Sequence, residues 1–138
     1  MIRFLITFAA LLPTLVIAQS ETEAIWQGVY TAEQAQRGQQ QYNAACSSCH
    51  SADLRGNSNA PSLRGVSFSF IWEGRSLGEL FTVMREQMPT DRPGSLPATS
   101  YADILAFILS SNGYPSGAGE LPANSGVLAG IIVAPQAD

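Results

Sequence analysis

The sequence contains no lysine, a single histidine and only two cysteines. All seven basic residues are arginines, against 11 acidic residues, so the formal net charge is −4. Such a chain lacks the basic surface with which proteins bind nucleic acid, and that class of function is excluded. Charged residues make up 13% of the chain, where about a quarter is usual for a free-standing soluble domain. Its 138 residues allow one domain.

The first 18 residues have the pattern of a secretory signal. Arg3 supplies the positive charge, an almost uniformly apolar run follows, and Ala18 ends the segment with a small residue. The apolar run is shorter than the ~20 residues of a spanning helix, and Pro13 interrupts it. We therefore expect cleavage after Ala18, export to the periplasm and no stable membrane span afterwards. An uncleaved membrane anchor at residues 1–18 is the alternative.

Both cysteines and the histidine fall within five consecutive residues, in the order C-x-x-C-H from Cys46 through Cys49 to His50. This spacing is typical of c-type haem attachment, because two thiols near the end of a helix can reach both vinyl groups of one porphyrin. The next residue then offers its imidazole to the iron from the same side. The motif predicts one haem c, bound through Cys46 and Cys49, with His50 as an axial ligand.

Other uses of a cysteine pair fit the sequence less well. A thioredoxin-like pair would follow a strand, and nothing before Cys46 indicates a strand. A disulfide gives His50 no role, and a zinc site needs further ligands that this chain does not have. A nucleophilic cysteine would need a histidine distant in sequence. A haem-free C-x-x-C oxidoreductase stands as the alternative to haem attachment.

Hydrophobic spacing predicts three main helices, at 31–45, 77–87 and 101–111. Their ends carry capping signals: Thr31 with Gln34, Ser76 with Glu79, a start after Ser100, and a stop at Asn112 and Gly113. Gly38 lies in the middle of the first helix, where it costs about 1 kcal/mol relative to alanine. Such a glycine makes sense where another helix crosses closely. The segment between His50 and Ser76 shows no clear period, which predicts a loop organised around a cofactor.

The second axial ligand is sought among the methionines, because the chain has no second histidine. Met84 lies on the apolar face of the helix at 77–87, which indicates a core residue. Met88 directly precedes Pro89, which disfavours helical geometry, so Met88 begins an extended loop. We predict Met88 as the iron ligand. A role in filling the core is the alternative for Met88.

Taken together, residues 31–114 resemble the class I c-type cytochromes. The resemblance covers about two thirds of the chain after the signal. It implies a small all-α cytochrome c fold, with three main helices wrapped around one covalently bound haem. It also implies that a glycine of the first helix, here Gly38, packs against an aromatic residue of the third, Tyr101 or Phe107.

The resemblance implies further residues of the haem site. Pro61 would offer its backbone carbonyl to the Nδ1–H of His50, which fixes the imidazole tautomer and ring plane. Leu63 would lie against the porphyrin, and Met88 matches the distal methionine. Trp72 is a candidate to hold a haem propionate, and the weaker candidates are Arg75, Arg64 and Arg92. An ordinary turn proline is the alternative for Pro61, and a core aromatic is the alternative for Trp72.

The two ends of the chain are less informative. Residues 19–30 form an N-terminal extension, with Trp26 and Tyr30 as anchors. Residues 115–138 form a tail rich in glycine, alanine and proline, with an apolar stretch at 127–133. The tail is either laid over the domain or used as a strand or contact surface for a partner.

The resemblance implies a periplasmic electron carrier rather than an enzyme. Its partners would be redox proteins, such as a periplasmic dehydrogenase and a terminal oxidase. The motifs from Trp26 to Pro115 are similar to those of bacterial cytochromes c associated with quinoprotein dehydrogenases. A gas-binding or peroxidase-like haem subunit, or the electron-accepting subunit of a dehydrogenase complex, is the alternative function. Because the chain has no lysine, we expect a neutral, apolar or basic docking surface on the partner.

Overall fold

The computed structural model describes residues 24–135, and the predicted signal segment lies outside them. After a 3₁₀ turn come six helices, which we number α1 to α6: Ala32–Ala45, Ser47–His50, Gly65–Trp72, Leu77–Gln87, Ala98–Ser111 and Ser125–Leu128. Between residues 24 and 135 the only β pairing is two isolated bridges, Asn57 with Ala60 and Ser76 with Ile132. The predicted all-α fold is confirmed, with α1, α4 and α5 as its main helices. No helix of this region has both the length and the apolar character needed to span a membrane.

The predicted capping residues open α1 and α4, with one difference. At α4 the capping box is complete, because Ser76 and Glu79 each bond the other's backbone amide. At α1 the Thr31 hydroxyl accepts from the Gln34 amide at 3.1 Å, but Gln34 does not return the bond. Its carboxamide is engaged elsewhere: Nε2 donates to the Leu121 carbonyl at 3.0 Å, and Oε1 accepts from the Leu121 amide at 2.8 Å.

Replacing Gln34 with alanine is expected to lower the free energy of unfolding by about 2 kcal/mol, because two buried backbone groups of Leu121 would lose their partners. The control is Gln36→Ala, an exposed position on the same helix, where we expect a change within about 0.5 kcal/mol. Guanidinium unfolding curves of the two variants measure the difference. Equal midpoints for the two would contradict the importance of this contact.

Helices α1 and α5 cross closely at Gly38. A Cβ atom at this position would overlap the backbone carbonyl of Asp103, so only glycine fits the approach. The predicted close crossing is therefore present. The three atoms nearest to such a Cβ are all backbone atoms of α5, and packing of Gly38 against Tyr101 or Phe107 stays a prediction. The ring of Phe107 pairs with Tyr42 of α1, with ring centroids 5.3 Å apart.

An ion pair between a buried aspartate and an exposed arginine fixes the same crossing. Asp103 is 7% exposed, and both of its carboxylate oxygens accept from the Arg37 guanidinium at 3.1 Å. Gln41 adds a third bond to this carboxylate at 3.2 Å, and Arg37 also reaches Glu120 at 2.8 Å. A bidentate arginine contact is geometrically specific. It therefore fixes the register of the two helices and draws the residues after α5 toward α1.

Two elements differ from the sequence prediction. Helix α5 begins at Ala98 and not after Ser100, because Pro97 takes the N-cap position with φ −56°. Proline has no backbone N–H group that would need a hydrogen-bond partner there. Helix α3 falls within the segment predicted to be loop. Its apolar residues lie on both the buried and the exposed side, with Phe68 buried and Phe70 90% exposed, so no helical period shows in its sequence.

The tail packs over the domain as far as the structure describes it, and its Leu121, Leu128 and Val133 are buried. The amide of Val133 donates to the Arg75 carbonyl, and its carbonyl accepts from Gly74, both at 2.8 Å. The N-terminal extension meets this segment, because the indole of Trp26 donates to the carbonyl of Ala134 at 3.0 Å. Both flanking segments therefore contribute to the core.

Candidate functional site

The C-x-x-C-H motif forms a single turn directly after α1. The amide of Cys46 donates to the Tyr42 carbonyl at 2.8 Å, which continues the last turn of α1. The amide of His50 then donates to the Cys46 carbonyl at 3.0 Å and closes α2. Both thiols are free; Cys46 is half-buried and Cys49 is exposed. The turn therefore presents two unpaired thiols and an imidazole within five residues.

The environment of Cys46 does not suit thiol redox chemistry. Burial, together with a smaller effect of the neighbouring Cys49, raises the pKa of the Cys46 thiol to about 11. Reactive C-x-x-C pairs have a thiol whose pKa is lowered, because the thiolate is the attacking species. The raised pKa therefore counts against Cys46 as the attacking thiol of a haem-free oxidoreductase.

The imidazole of His50 has a defined tautomer. Its Nδ1 lies 2.9 Å from the backbone carbonyl oxygen of Pro61, and the residue is 7% exposed. A carbonyl can only accept, so Nδ1 carries the proton and donates it. The neutral ring then has its lone pair at Nε2, the nitrogen that is available to a metal ion. The predicted hydrogen bond between Pro61 and His50 is present in the structure.

The loop after His50 is folded back by its own backbone bonds. Ser51 has φ +67°, an uncommon value for a residue with a side chain, and it reverses the chain directly after the histidine. The Gly56 amide then donates to the His50 carbonyl at 2.9 Å, and the Leu63 amide donates to the Leu54 carbonyl at 2.8 Å. These bonds bring the loop back so that Pro61 reaches the imidazole.

Met88 and Met84 occupy different environments at the end of α4. Met84 is 8% exposed and belongs to the core, as the helical spacing predicts. Met88 is half-buried and extended, with φ −125° and ψ 149°. Its carbonyl accepts from the Tyr101 hydroxyl of α5 at 2.7 Å. The backbone that carries Met88 is thus fixed from a second helix, a contact that sequence spacing did not indicate.

The candidates for the haem propionates are placed as follows. Trp72 is 7% exposed, and the Arg75 guanidinium lies over its ring at 4.4 Å, so this tryptophan fills the core. Arg75 also pairs with Glu79 at 3.5 Å. Arg64 is exposed, and Arg92 is exposed beside Asp91 at 3.3 Å. A role of these residues toward a propionate stays a prediction, as does the contact of the half-buried Leu63 with a porphyrin.

The thiols of Cys46 and Cys49 and the imidazole of His50 fit a covalently attached haem. Two unpaired thiols lie one turn apart, as thioether bonds to one porphyrin require, and the adjacent histidine uses its Nδ1 for the Pro61 carbonyl, which leaves Nε2 as the nitrogen for a metal ion. Between residues 24 and 135, no group of three or more histidine, cysteine, aspartate or glutamate side chains could hold a metal ion. The ligands expected of a zinc site are therefore not assembled in that part of the chain.

A helical domain in which a C-x-x-C-H turn follows the first long helix is that of a c-type cytochrome. The chain belongs to the family described as cytochrome C oxidase, cbb3-type, subunit III, which matches residues 33–108, more than half of its length. This membership supports haem-based electron transfer and implies a covalently bound haem c. The chain has no significant match among curated proteins or among solved structures.

Proposed function

We propose that the chain is a class I, exported electron carrier in which Cys46 and Cys49 hold a single haem c. His50 and Met88 would hold its iron. One observation carries this proposal: the Pro61 carbonyl lies 2.9 Å from Nδ1 of His50, inside a C-x-x-C-H turn with two free thiols. A histidine held in this way has no use in a disulfide, whereas it is suited to bind iron through Nε2.

Each ligand is held by a neighbour from another part of the fold. When bound, haem c supplies reversible one-electron chemistry at its iron. Pro61 fixes the plane of the imidazole and makes Nε2 more basic. Met88 offers a thioether, a weaker donor that raises the reduction potential, and Tyr101 restrains its backbone. If His50 and Met88 both hold the iron, this chain would leave no place on it for a substrate, which supports a role as a carrier rather than an enzyme.

The charge of the chain bears on its partners. We propose exchange with a periplasmic dehydrogenase as donor and a terminal oxidase as acceptor; the family's printed description names an oxidase subunit, which agrees with the acceptor. An acidic chain without lysine docks on neutral, apolar or basic surfaces. The rate of electron exchange should therefore fall or stay flat as salt is raised. Stopped-flow measurements with a purified partner across a salt titration test this, and a rate that climbs with salt would indicate an acidic partner.

The proposed function is tested by expressing the chain with a c-type haem maturation system. Haem should stay with the polypeptide on a denaturing gel, and the reduced protein should not bind carbon monoxide quickly. The control is the double variant Cys46→Ser, Cys49→Ser, which should show no haem stain. Fast binding of carbon monoxide would favour the gas-binding alternative. A wild-type chain without covalent haem would contradict the carrier and revive the thiol oxidoreductase.

A further inference from the structure

The side chain of Asn112, at the end of α5, is bonded to a distant loop. Its Nδ2 donates to the Leu63 carbonyl at 2.9 Å and to the Ile108 carbonyl of its own helix at 2.8 Å. Its Oδ1 accepts from the Gly65 amide at 2.9 Å. Both N–H groups and the carbonyl oxygen of the carboxamide are thus used, two of them across 47 to 49 residues of sequence.

The end of α5 does not itself require this bridge. The backbone amide of Asn112 already bonds the last carbonyls of the helix. Gly113 then ends the helix with φ +85°, the left-handed conformation that favours glycine at this point. Helix α3 has no side-chain cap of its own at Arg64, and Asn112 satisfies the free Gly65 amide instead. The carboxamide therefore serves the segment from Leu63 to Gly65.

The segment from Leu63 to Gly65 follows closely on Pro61, whose carbonyl is the hydrogen-bond partner of His50. Pro61 is exposed, so its carbonyl is not oriented by burial of the residue. Two residues later, the Leu63 amide donates to Leu54 and the Leu63 carbonyl accepts from Asn112. The peptide groups of Leu63 are held on both sides, by the loop and by α5. Nearer to Pro61, the Ala60 carbonyl accepts from the Asn57 amide at 2.9 Å and the Ser62 hydroxyl donates to the Leu54 carbonyl at 3.1 Å. The bond from Asn112 is the attachment of this loop that comes from α5.

We propose that Asn112 is a positioning residue that holds the Pro61 carbonyl against Nδ1 of His50. It thereby tunes the basicity of Nε2 and the reduction potential of the bound haem. The statement about the potential rests on the proposed function. Asn112 lies beyond residues 33–108, so the family match itself assigns it no role.

The test uses the haem-loaded protein. In Asn112→Ala the bond between Pro61 and His50 should loosen, so the reduction potential should rise and the Nδ1–H of His50 should exchange with solvent about tenfold faster. The potential is measured by redox titration and the exchange by NMR of the reduced protein. Ser111→Ala is the matched control, because it removes a bond to the Phe107 carbonyl at the same helix end without touching the loop.

A second pair of variants separates positioning from capping. Asn112→Asp keeps an acceptor for the Gly65 amide and loses both donors. The Nδ1–H of His50 should therefore exchange with solvent as fast in this variant as in Asn112→Ala. Ser111→Asp adds the same charge one residue away. In this variant the Nδ1–H of His50 should exchange as slowly as in the wild type. If both Asn112 variants lower only the unfolding midpoint, and potential and exchange match the controls, the proposal is overturned. A wild-type chain without haem would instead contradict the proposed function.

Discussion

Met88→Leu is expected to abolish the long-wavelength absorption band that marks methionine bound to ferric haem, whereas Met84→Leu should leave this band in place. Leucine has nearly the volume of methionine and lacks the thioether sulfur, so each variant removes a donor without opening a large cavity. Met88 lies at the extended end of α4 on a backbone fixed by Tyr101. Met84 is 8% exposed within the core, where it has a packing role.

The same pair of variants changes ligand binding. Because Met88 is the proposed ligand of the iron, reduced Met88→Leu should bind carbon monoxide rapidly, whereas the Met84→Leu protein should resist it as the wild type does. Met84→Leu should cost less than about 1.5 kcal/mol of stability, as volume-conserving swaps in cores do. Optical spectra of both oxidation states and guanidinium unfolding measure these effects. Loss of the band in Met84→Leu alone would reassign the ligand and contradict the proposed role of Met88.

Gly38→Ala is expected to lower the free energy of unfolding by at least about 3 kcal/mol, at the upper end of what overpacking costs. The added Cβ would overlap the Asp103 carbonyl and would lie 3.0 Å from the Ile104 amide nitrogen. Both are backbone atoms of α5, so no flexible side chain can move aside. The helices must separate, which also stretches the bonds between Arg37 and Asp103.

The matched control is Gly119→Ala. Nothing lies within 4 Å of a Cβ placed there, so this variant should unfold at or slightly above the wild-type midpoint. Calorimetry and guanidinium unfolding of both variants give the comparison. A wild-type midpoint for Gly38→Ala would mean that the two helices do not cross as closely as the structure shows.

Much of the fold could be predicted because its signals are local. The capping box of Ser76 and Glu79 and the spacing of apolar residues placed α4 at its observed bounds. Helix α3 could not be found in the same way. Its apolar residues face both the core and the solvent, so no period distinguishes it from a loop.

The residues of the candidate site also divide into those with a local sequence signal and those that act through distant contacts. Five consecutive residues carry the thiols and the histidine, so one motif was sufficient to find Cys46, Cys49 and His50. The Pro61 contact came from a family resemblance. Asn112 and Tyr101 could not be found from sequence, because each acts through a backbone carbonyl distant in the chain. An asparagine before a glycine indicates only the end of a helix.

The packing of the tail over the N-terminal extension has a consequence for the rate of folding. The bond between Trp26 and Ala134 spans 108 residues, and the bonds between Gln34 and Leu121 span 87. Contacts of such long range are closed late, because the entropy of the intervening loop is lost before they form. During synthesis the core cannot be completed until the tail has emerged. Cys46 and Cys49 precede the tail in the chain, so their thiols should be accessible while folding is incomplete, which would suit the covalent attachment of haem that we propose.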